Sequence, residues 1–305
     1  MKILVTGSRG MLGSALRRTI DRNDVELLCP QKSELNLLDQ NSTTEYFSIQ
    51  KPEFVIHCAA IVGGIQSNIN NPIKYILENS TIDSNTVSAS LSVGVEKFIY
   101  ISSSCIYPSN TPQPMTVEAL LSGKFEITNK SYAVAKVSGM QLMESVNSEK
   151  GLDYKSLILS NLYGPGDKYE LANSHLVASC IRKVHEAKIT GSREVEILGN
   201  GNARREFTYV EDVATWISES LAKVSEFPQS MNLGYGKDYS VDEFYNFARE
   251  VIGFKGEFIH NSSAPEGMKQ KLMDSSYAVK NFNWKPKIDP INGIEKSYQR
   301  FLDGR

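Results

Sequence analysis

Residues 2–13 read KILVTGSRGMLG, an apolar run that leads into three glycines spaced three apart. The run has the β-forming residues of a buried strand, and residues 14–20 continue with apolar side chains at helical spacing. A strand, a glycine turn and a helix are the setting in which helix N-terminal amides bind a pyrophosphate. Gly7 permits the tight turn, Gly10 the close approach of phosphates, and Gly13 the packing of helix on strand. The stretch therefore predicts a dinucleotide-binding unit.

The next predicted strand covers residues 25–29, and its end indicates which dinucleotide binds. A carboxylate there would accept a hydrogen bond from the ribose of NAD, but the first one after this strand is Glu34. Arg9 and Lys32 instead place two cations where a 2′-phosphate would sit, and a cation pairs with that phosphate. The sequence thus favours NADP(H); the alternative is that both are solvated surface charges.

Strands alternate with helices through the rest of this half. Residues 53–58, 96–101 and 154–159 are predicted strands, and residues 72–93 form a long predicted helix. The alternation indicates an α/β fold with a Rossmann-type, doubly wound parallel sheet, whose ligands gather at the carboxyl ends of the strands. The side chains predicted at such ends are Ala59, Ala60, Ser103 and Cys105.

The chain is predicted to have two parts. Residues 1–160 form a dinucleotide-binding domain, to which the chain returns near residues 205–225, and residues 161–305 form a smaller C-terminal α/β substrate lobe. The boundary is placed at a turn cluster that begins at Asn161. We assign the short apolar segment 231–234 to the substrate lobe.

Tyr132 and Lys136 lie four residues apart in a segment that is predicted to be helical. At this spacing both side chains share one face of the helix. An ammonium beside a phenol favours the phenolate, so we expect Lys136 to lower the pKa of Tyr132 toward values that suit proton transfer. The alternative is an ordinary helix surface.

Composition excludes several classes of protein. The 305 residues carry a net charge of −2, which gives no electrostatic reason to expect nucleic acid or a membrane as partner. The four cysteines have no metal-ligand spacing, so we expect no metal. No signal peptide or long apolar run is found, and we expect a cytoplasmic protein.

Several passages together resemble the extended short-chain dehydrogenase/reductases and, among these, the GDP-L-fucose synthase family. The similar passages are residues 7–14 (GSRGMLGS), 34–39 (ELNLLD), 62–65 (VGGI), 103–108 (SSCIYP), 161–165 (NLYGP), 173–175 (NSH), 205–207 (REF) and 271–274 (KLMD). The likeness runs over nearly the whole chain. It implies an NADPH-dependent enzyme that epimerises GDP-4-keto-6-deoxy-D-mannose and reduces it to GDP-L-fucose.

The resemblance also implies roles for individual residues. The cofactor-binding residues would be Gly7, Arg9, Gly10, Met11, Leu12, Gly13, Lys32, Leu38, Asp39, Ala59, Ala60, Tyr132, Lys136, Asn161, Leu162 and His175. The substrate-binding residues would be Ser104, Asn161, Lys183, Leu198, Arg205 and Lys271.

The family pattern implies five catalytic residues. Tyr132 would protonate the ketone oxygen at carbon 4, Lys136 would tune it, and Ser103 would stabilise the oxyanion. The same ketone acidifies the hydrogens on carbons 3 and 5, where Cys105 would be the base and His175 the acid. From the residues alone, a small buried cysteine and a capping or surface histidine are the commoner interpretations.

Two departures leave the substrate open. Leu198 stands where family members can have tryptophan, and Lys183 stands where arginine is usual. The substrate is therefore GDP-4-keto-6-deoxy-mannose or another GDP-4-keto sugar, such as a 6-deoxy-heptose or a dideoxy-hexose, with one, two or no epimerisations. A third alternative is a nucleotide-binding protein without turnover.

The family also tends to form homodimers through two long helices of each subunit, here residues 72–93 and 132–149. The remaining histidines are interpreted as structural: His57 in a buried strand, and His185 and His260 without partners.

Overall fold

The computed structural model describes residues 1–170, 174–264 and 267–304. The strands are β1 (Lys2–Thr6), β2 (Glu26–Leu28), β3 (Phe54–His57), β4 (Lys97–Ser103), β5 (Asp153–Leu159), β6 (Asn161–Tyr163), β7 (Glu194–Leu198), β8 (Arg204–Tyr209), β9 (Ser230–Leu233), β10 (Asp238–Ser240), β11 (Glu257–Asn261) and β12 (Gln270–Lys271). The helices are α1 (Met11–Thr19), α2 (Gln40–Gln50), α3 (Ile65–Asn70), α4 (Pro72–Ser92), α5 (Lys130–Lys150), α6 (Leu176–Thr190), α7 (Val210–Ser220), α8 (Val241–Ile252), α9 (Ser276–Phe282) and α10 (Pro290–Leu302).

The main sheet has six parallel strands in the order β2-β1-β3-β4-β5-β9. Helices α1 and α7 pack together over one face, and α4 and α5 pack together over the other. Because both faces are covered, β1 and β3 are apolar along nearly their whole length rather than alternating. The strand order reverses between β1 and β3, which is where such sheets bind ligands. The predicted Rossmann-type fold is confirmed.

One element lies in a different place from the prediction. Strand β9, which contains the segment assigned to the substrate lobe, is an edge strand of the main sheet and pairs in parallel with β5. Met231 and Leu233 are buried there in the core beneath α1 and α7. Four residues suffice for a strand but carry no information about which sheet they join, so the assignment to the lobe was wrong.

The smaller lobe is built around β8. This strand pairs with β10, β12 and β6, while β7 and β11 form a separate pair. Helices α6, α8 and α10 pack together around an aromatic core that includes Phe207 and Phe244. The parallel pairing of β8 with β12 sets Arg205 opposite Lys271.

None of the helices in the described ranges combines the length and the apolar character that a bilayer crossing needs.

Candidate active site

A cavity of about 830 Å³ opens at the carboxyl ends of the parallel strands and extends to the smaller lobe. The predicted site residues that line it are Gly7, Arg9, Gly10, Met11, Leu12, Gly13, Lys32, Leu38, Ala59, Ala60, Ser103, Cys105, Tyr132, Asn161, Leu162, His175, Lys183, Leu198, Arg205 and Lys271. Residues that are far apart in the chain, from the glycine turn to β12, thus face one space.

Three predicted site residues lie outside the cavity lining. The Asp39 carboxylate accepts a hydrogen bond from the backbone N–H of Ser42 at 2.8 Å and caps α2, so this side chain serves the helix. Ser104 is buried behind the cavity wall, and Lys136 is buried beneath it. Asn173, part of one of the similar passages, lies outside the described residues.

The glycine turn is shaped for close approach. Gly7 has φ +63°, and a Cβ there would lie 2.8 Å from the backbone of Ala59. A Cβ on Gly13 would collide with the carbonyl oxygen of Gly7. Helix α1 has no side-chain cap, so its N-terminal amides face the cavity without a side-chain partner. The turn therefore fits the pyrophosphate of a dinucleotide.

The two predicted cations lie at one end of this turn. Arg9 and Lys32 are exposed and both line the cavity. The nearby Glu34 does not take the place of the carboxylate that binds the ribose of NAD. Its carboxylate instead accepts a hydrogen bond from the backbone N–H of Gln31 at 2.7 Å. This end of the cavity carries positive charge, which fits a 2′-phosphate.

The proton-transfer groups meet where β4 and α5 approach the cavity. Ser103 ends β4, and its hydroxyl accepts a hydrogen bond from the backbone N–H of Cys105 at 3.4 Å. Tyr132 lies in the first turn of α5, edge-on to the ring of Tyr75 at 6.3 Å between centroids. Strand and helix thus place a hydroxyl and a phenol on the same cavity wall.

The expected lowering of the Tyr132 pKa by Lys136 is wrong for this arrangement. Burial, followed by the charges of Cys105 and Asp83, raises the pKa of Tyr132 above its ordinary value. The Lys136 ammonium lies 3.9 Å from the centroid of the Tyr100 ring. Helical spacing placed both residues correctly on α5, but the ammonium lies over Tyr100 while burial sets the direction for the Tyr132 pKa, and the phenol keeps its proton.

The predicted acid and base also line the cavity. The Lys271 ammonium lies 3.9 Å from the Cys105 sulfur. His175 occupies the N-cap position of α6 but makes no capping hydrogen bond, so its ring is not used by the helix. Burial, together with the charge of Lys168, lowers the pKa of His175. A neutral imidazole can both donate and accept a proton.

The cations that were predicted to bind a diphosphate gather toward the smaller lobe. Lys183 donates from its ammonium to the carbonyl oxygen of Glu196 at 2.9 Å, which fixes the direction of its side chain. Arg205 and Lys271 are neighbours across β8 and β12. Leu198, which is 55% exposed, supplies apolar surface at the cavity edge.

Sequence reasoning missed a polar wall near Tyr132. Asn68 and Asn129 line the cavity, and within the described chain their side-chain oxygens are buried without a hydrogen-bond partner. The Asn68 side-chain nitrogen donates to the carbonyl oxygens of Gly63 and Gly64 at 2.9 and 3.1 Å. Gly63 and Gly64 belong to one of the passages that resemble the family, but nothing in that passage indicated a role for Asn68 or Asn129.

The expectation that two of the remaining histidines lack partners is also wrong. His185 shares a hydrogen bond with the Tyr298 hydroxyl at 3.0 Å, and His260 lies 2.8 Å from an Asp242 carboxylate oxygen. His57 is hydrogen-bonded through both ring nitrogens. These partners come from distant parts of the chain, so a single sequence cannot reveal them.

A doubly wound parallel sheet, a glycine turn and a serine, tyrosine and lysine set define a nicotinamide-dependent enzyme of the short-chain type. The chain belongs to the NAD dependent epimerase/dehydratase family, whose model matches residues 3–234.

Individual relatives narrow the branch and confirm the likeness to the GDP-L-fucose synthases. The chain is 40% identical over 304 residues to a GDP-L-colitose synthase from Yersinia pseudotuberculosis, covering 99% of this chain and 98% of that one. It is 39% identical over 303 residues to a GDP-L-fucose synthase from Azorhizobium caulinodans, covering 99% and 97%. It is also similar to the structure of a GDP-mannoheptose C4 reductase from Campylobacter jejuni with NADP bound, at 29% identity and a TM-score of 0.87 over 99% of this chain and 98% of that one.

Proposed function

We propose that the chain is an NADPH-dependent epimerase and reductase that converts GDP-4-keto-6-deoxy-D-mannose to GDP-L-fucose. The observation that carries this proposal is the presence of Cys105 and His175 in the cavity that also contains Ser103 and Tyr132. A simple reductase needs only the latter pair with Lys136, whereas inversion of ring carbons needs an additional base and acid.

The reduction is assigned to three residues. Bound NADPH supplies a hydride to carbon 4 of the ketosugar. The Tyr132 phenol, which keeps its proton because its pKa is raised, donates that proton to the ketone oxygen. The Ser103 hydroxyl donates a hydrogen bond to the same oxygen as negative charge develops on it. Lys136, buried beneath, supplies a positive charge to this region.

The epimerisation is assigned to Cys105 and His175. A thiolate at Cys105 removes the proton from carbon 3 or carbon 5, whose acidity comes from the adjacent ketone, and His175 returns a proton on the opposite face of the ring. The Lys271 ammonium lies 3.9 Å from the Cys105 sulfur, so a cation stands beside the assigned base.

We also propose the binding roles. The glycine turn, Leu38, Ala59, Ala60, Asn161 and Leu162 would hold NADP(H), with Arg9 and Lys32 on its 2′-phosphate. Lys183, Arg205 and Lys271 would pair with the diphosphate of a GDP-linked sugar, since a diphosphate attracts several cations.

The test separates the two half-reactions by variants in heavy water. Tyr132→Phe should oxidise NADPH about 10²–10⁴ times more slowly while still exchanging deuterium into carbons 3 and 5 of the substrate. Cys105→Ser should lose that exchange, and His175→Gln should fail to complete the inversion. Cys29→Ser, a half-buried cysteine outside the cavity lining, is the control and should behave as wild type. Wild-type exchange in Cys105→Ser would refute the assigned base.

A second candidate keeps the reductase chemistry with another GDP-4-keto sugar, such as a dideoxy-hexose or a 6-deoxy-heptose. It is favoured by Leu198, which offers no aromatic ring at the cavity edge, and by Lys183, which cannot form the paired hydrogen bonds of an arginine. Deuterium at neither carbon 3 nor carbon 5 in wild-type product would select a reductase without epimerisation.

Assembly and location complete the proposal. We propose a homodimer through α4 and α5, because α4 exposes apolar side chains at Ile73 and Leu77, which are 74% and 61% accessible. Leu77→Asp should then shift the sedimentation of the protein to that of a monomer. We further propose a cytoplasmic enzyme with a cofactor domain over residues 1–160, to which the chain returns near 205–225 and again at β9, and a substrate lobe over the rest of 161–305.

A further inference from the structure

A buried polar network lies beneath the cavity floor and joins five elements. Its members are Thr6 at the end of β1, His57 at the end of β3, Asp83 on α4, Tyr100 on β4 and Lys136 on α5. Each of these side chains is at most 3% exposed. Burial of an ammonium and a carboxylate is costly unless each is compensated, so the arrangement of these groups needs a physical reason.

The hydrogen bonds assign a direction to the network. The backbone N–H of Ala59 donates to the Thr6 hydroxyl at 3.2 Å, and that hydroxyl lies 2.8 Å from His57 Nδ1. His57 Nε2 lies 3.0 Å from Asp83 Oδ1, and the Tyr100 hydroxyl donates to Asp83 Oδ2 at 2.5 Å. Burial lowers the pKa of His57 even against the charge of Asp83, so the ring is neutral. Both oxygens of Asp83 therefore accept hydrogen bonds.

Asp83 is the carboxylate that Tyr100 links to Lys136. The ammonium lies over the Tyr100 ring, whose hydroxyl is bonded to Asp83. Burial lowers the pKa of Lys136, and Asp83 and Cys58 oppose this effect. The Asp83 pKa is lowered although burial acts against it, because Lys136, His57 and Tyr100 stabilise the charge.

The other titratable groups around Lys136 stay neutral. Burial raises the pKa of the Cys58 thiol, which follows β3, to about 12. Burial likewise raises the pKa values of Tyr100 on β4 and Tyr132 on α5, and it leaves His57 without a charge. Near neutral pH, Asp83 is therefore the ionised partner of Lys136 among these described groups.

Helix α5 is shaped around this pair. Gly139 lies one turn beyond Lys136, and a Cβ there would collide with the Tyr100 hydroxyl and lie 2.7 Å from Asp83 Oδ2. The missing side chain lets α4 and α5 approach closely enough to bury the carboxylate between them. The glycine thus makes room beside α5 for the hydrogen bond between Tyr100 and Asp83.

We propose that Asp83 is a positioning residue: its buried carboxylate, held by His57 and Tyr100, supplies the negative charge on the far side of Tyr100 from the Lys136 ammonium, which lies one helical turn from Tyr132 on α5. The role rests on the proposed function, in which Lys136 supports proton donation by Tyr132. The network also reaches Thr6 and the backbone of Ala59 beside the glycine turn.

The first test compares the pH dependence of NADPH oxidation in Asp83→Asn and wild type. Without the carboxylate the ammonium loses its proton at lower pH, so the alkaline limb of kcat should move to lower pH by at least about 1 unit. At neutral pH, kcat should fall at least about tenfold with KM nearly unchanged. Glu144→Gln, which removes an exposed carboxylate of α5 outside this network, is the control, and its alkaline limb should stay where it is in wild type. A folded Asp83→Asn variant with the wild-type limb, or with equal loss at every pH, would overturn the proposal.

A second readout does not depend on turnover. Lysine labelled with ¹³C at Cε reports its own protonation by NMR, and Lys136→Met identifies the resonance of Lys136. The pH at the midpoint of its titration should be lower in Asp83→Asn than in wild type. An unchanged titration midpoint refutes the proposal. If Asp83→Asn does not fold, the wild-type spectrum still tests the proposal. A neutral Lys136 amine near pH 7 in wild type would contradict the role of Asp83. Absence of turnover in wild type would refute the proposed function instead and leave this titration interpretable.

Discussion

At the scale of single residues, we propose that Arg9 and Lys32 select NADPH over NADH. Both are exposed cations on the cavity lining, and a 2′-phosphate distinguishes NADPH from NADH by charge. Arg9→Ala with Lys32→Ala should weaken NADPH binding about 10- to 100-fold and leave NADH binding within about threefold, because only one ligand loses ion pairs. Fluorescence titration measures both dissociation constants. Arg17→Ala, an exposed cation outside the lining, is the control; equal weakening of both cofactors would contradict the assignment.

Residues were predictable where a short pattern carries the chemistry, and not where the partner is remote. The glycine turn and Tyr132 were predicted from spacing and Ser103 from its place at a strand end, and all three line one cavity. The buried environment of Asp83 could not be predicted, because β3, β4 and α5 form it rather than the residues next to Asp83 in the chain. For the same reason the pKa of Tyr132 was predicted in the wrong direction, since burial is a property of the fold.

The packing of α1 on β1 is tested by its glycine. A Cβ on Gly13 would collide with the Gly7 carbonyl oxygen, which is backbone and cannot turn away. Gly13→Ala should therefore lower the free energy of unfolding by roughly 1–3 kcal/mol and weaken NADPH binding at least about tenfold. Gly10→Ala, whose Cβ would lie 3.3 Å from the same oxygen, should destabilise the fold less. Urea unfolding measures the difference, and equal stability of Gly13→Ala and wild type would contradict the close approach.

Helices and strands with a clear hydrophobic pattern were predicted from the sequence, and those with a weak hydrophobic pattern were not. Strands β1, β3 and β4 follow apolar patterns along most of their length. Helix α2 was missed because it is mostly polar and buries only Thr43 and Phe47, so its stability depends on the Asp39 cap and on packing against α4. Strand β9 was found as an element but assigned to the wrong sheet, because strand pairing is not encoded in four residues.

At the scale of the whole molecule, Glu206 ties three distant segments together. Its carboxylate on β8 accepts hydrogen bonds from the backbone N–H groups of Gly236 at 2.7 Å and Met273 at 3.0 Å. It therefore fixes the segment that carries Lys271 beside Arg205. Burial raises the pKa of Glu206 from 4.5 to about 7.

The raised pKa predicts a pH-dependent stability. A carboxyl group with a raised pKa in the folded state contributes stability that is present below pH 4.5 and is lost as the pH rises through about 7. Glu206→Gln stays neutral at every pH. The free energy of unfolding of wild type minus that of Glu206→Gln should thus fall by about 3 kcal/mol between about pH 4.5 and about pH 8. Urea unfolding across this range would contradict the prediction if the difference stayed constant or increased.

Turnover of GDP-4-keto-6-deoxy-D-mannose with NADPH in heavy water, followed by NMR of the sugar product, tests epimerisation and reduction together. We expect consumption of NADPH and a galacto-configured L-sugar that carries deuterium at carbons 3 and 5. Absence of NADPH oxidation in a protein that binds NADPH, or a reduced sugar with deuterium at neither carbon, would contradict this expectation.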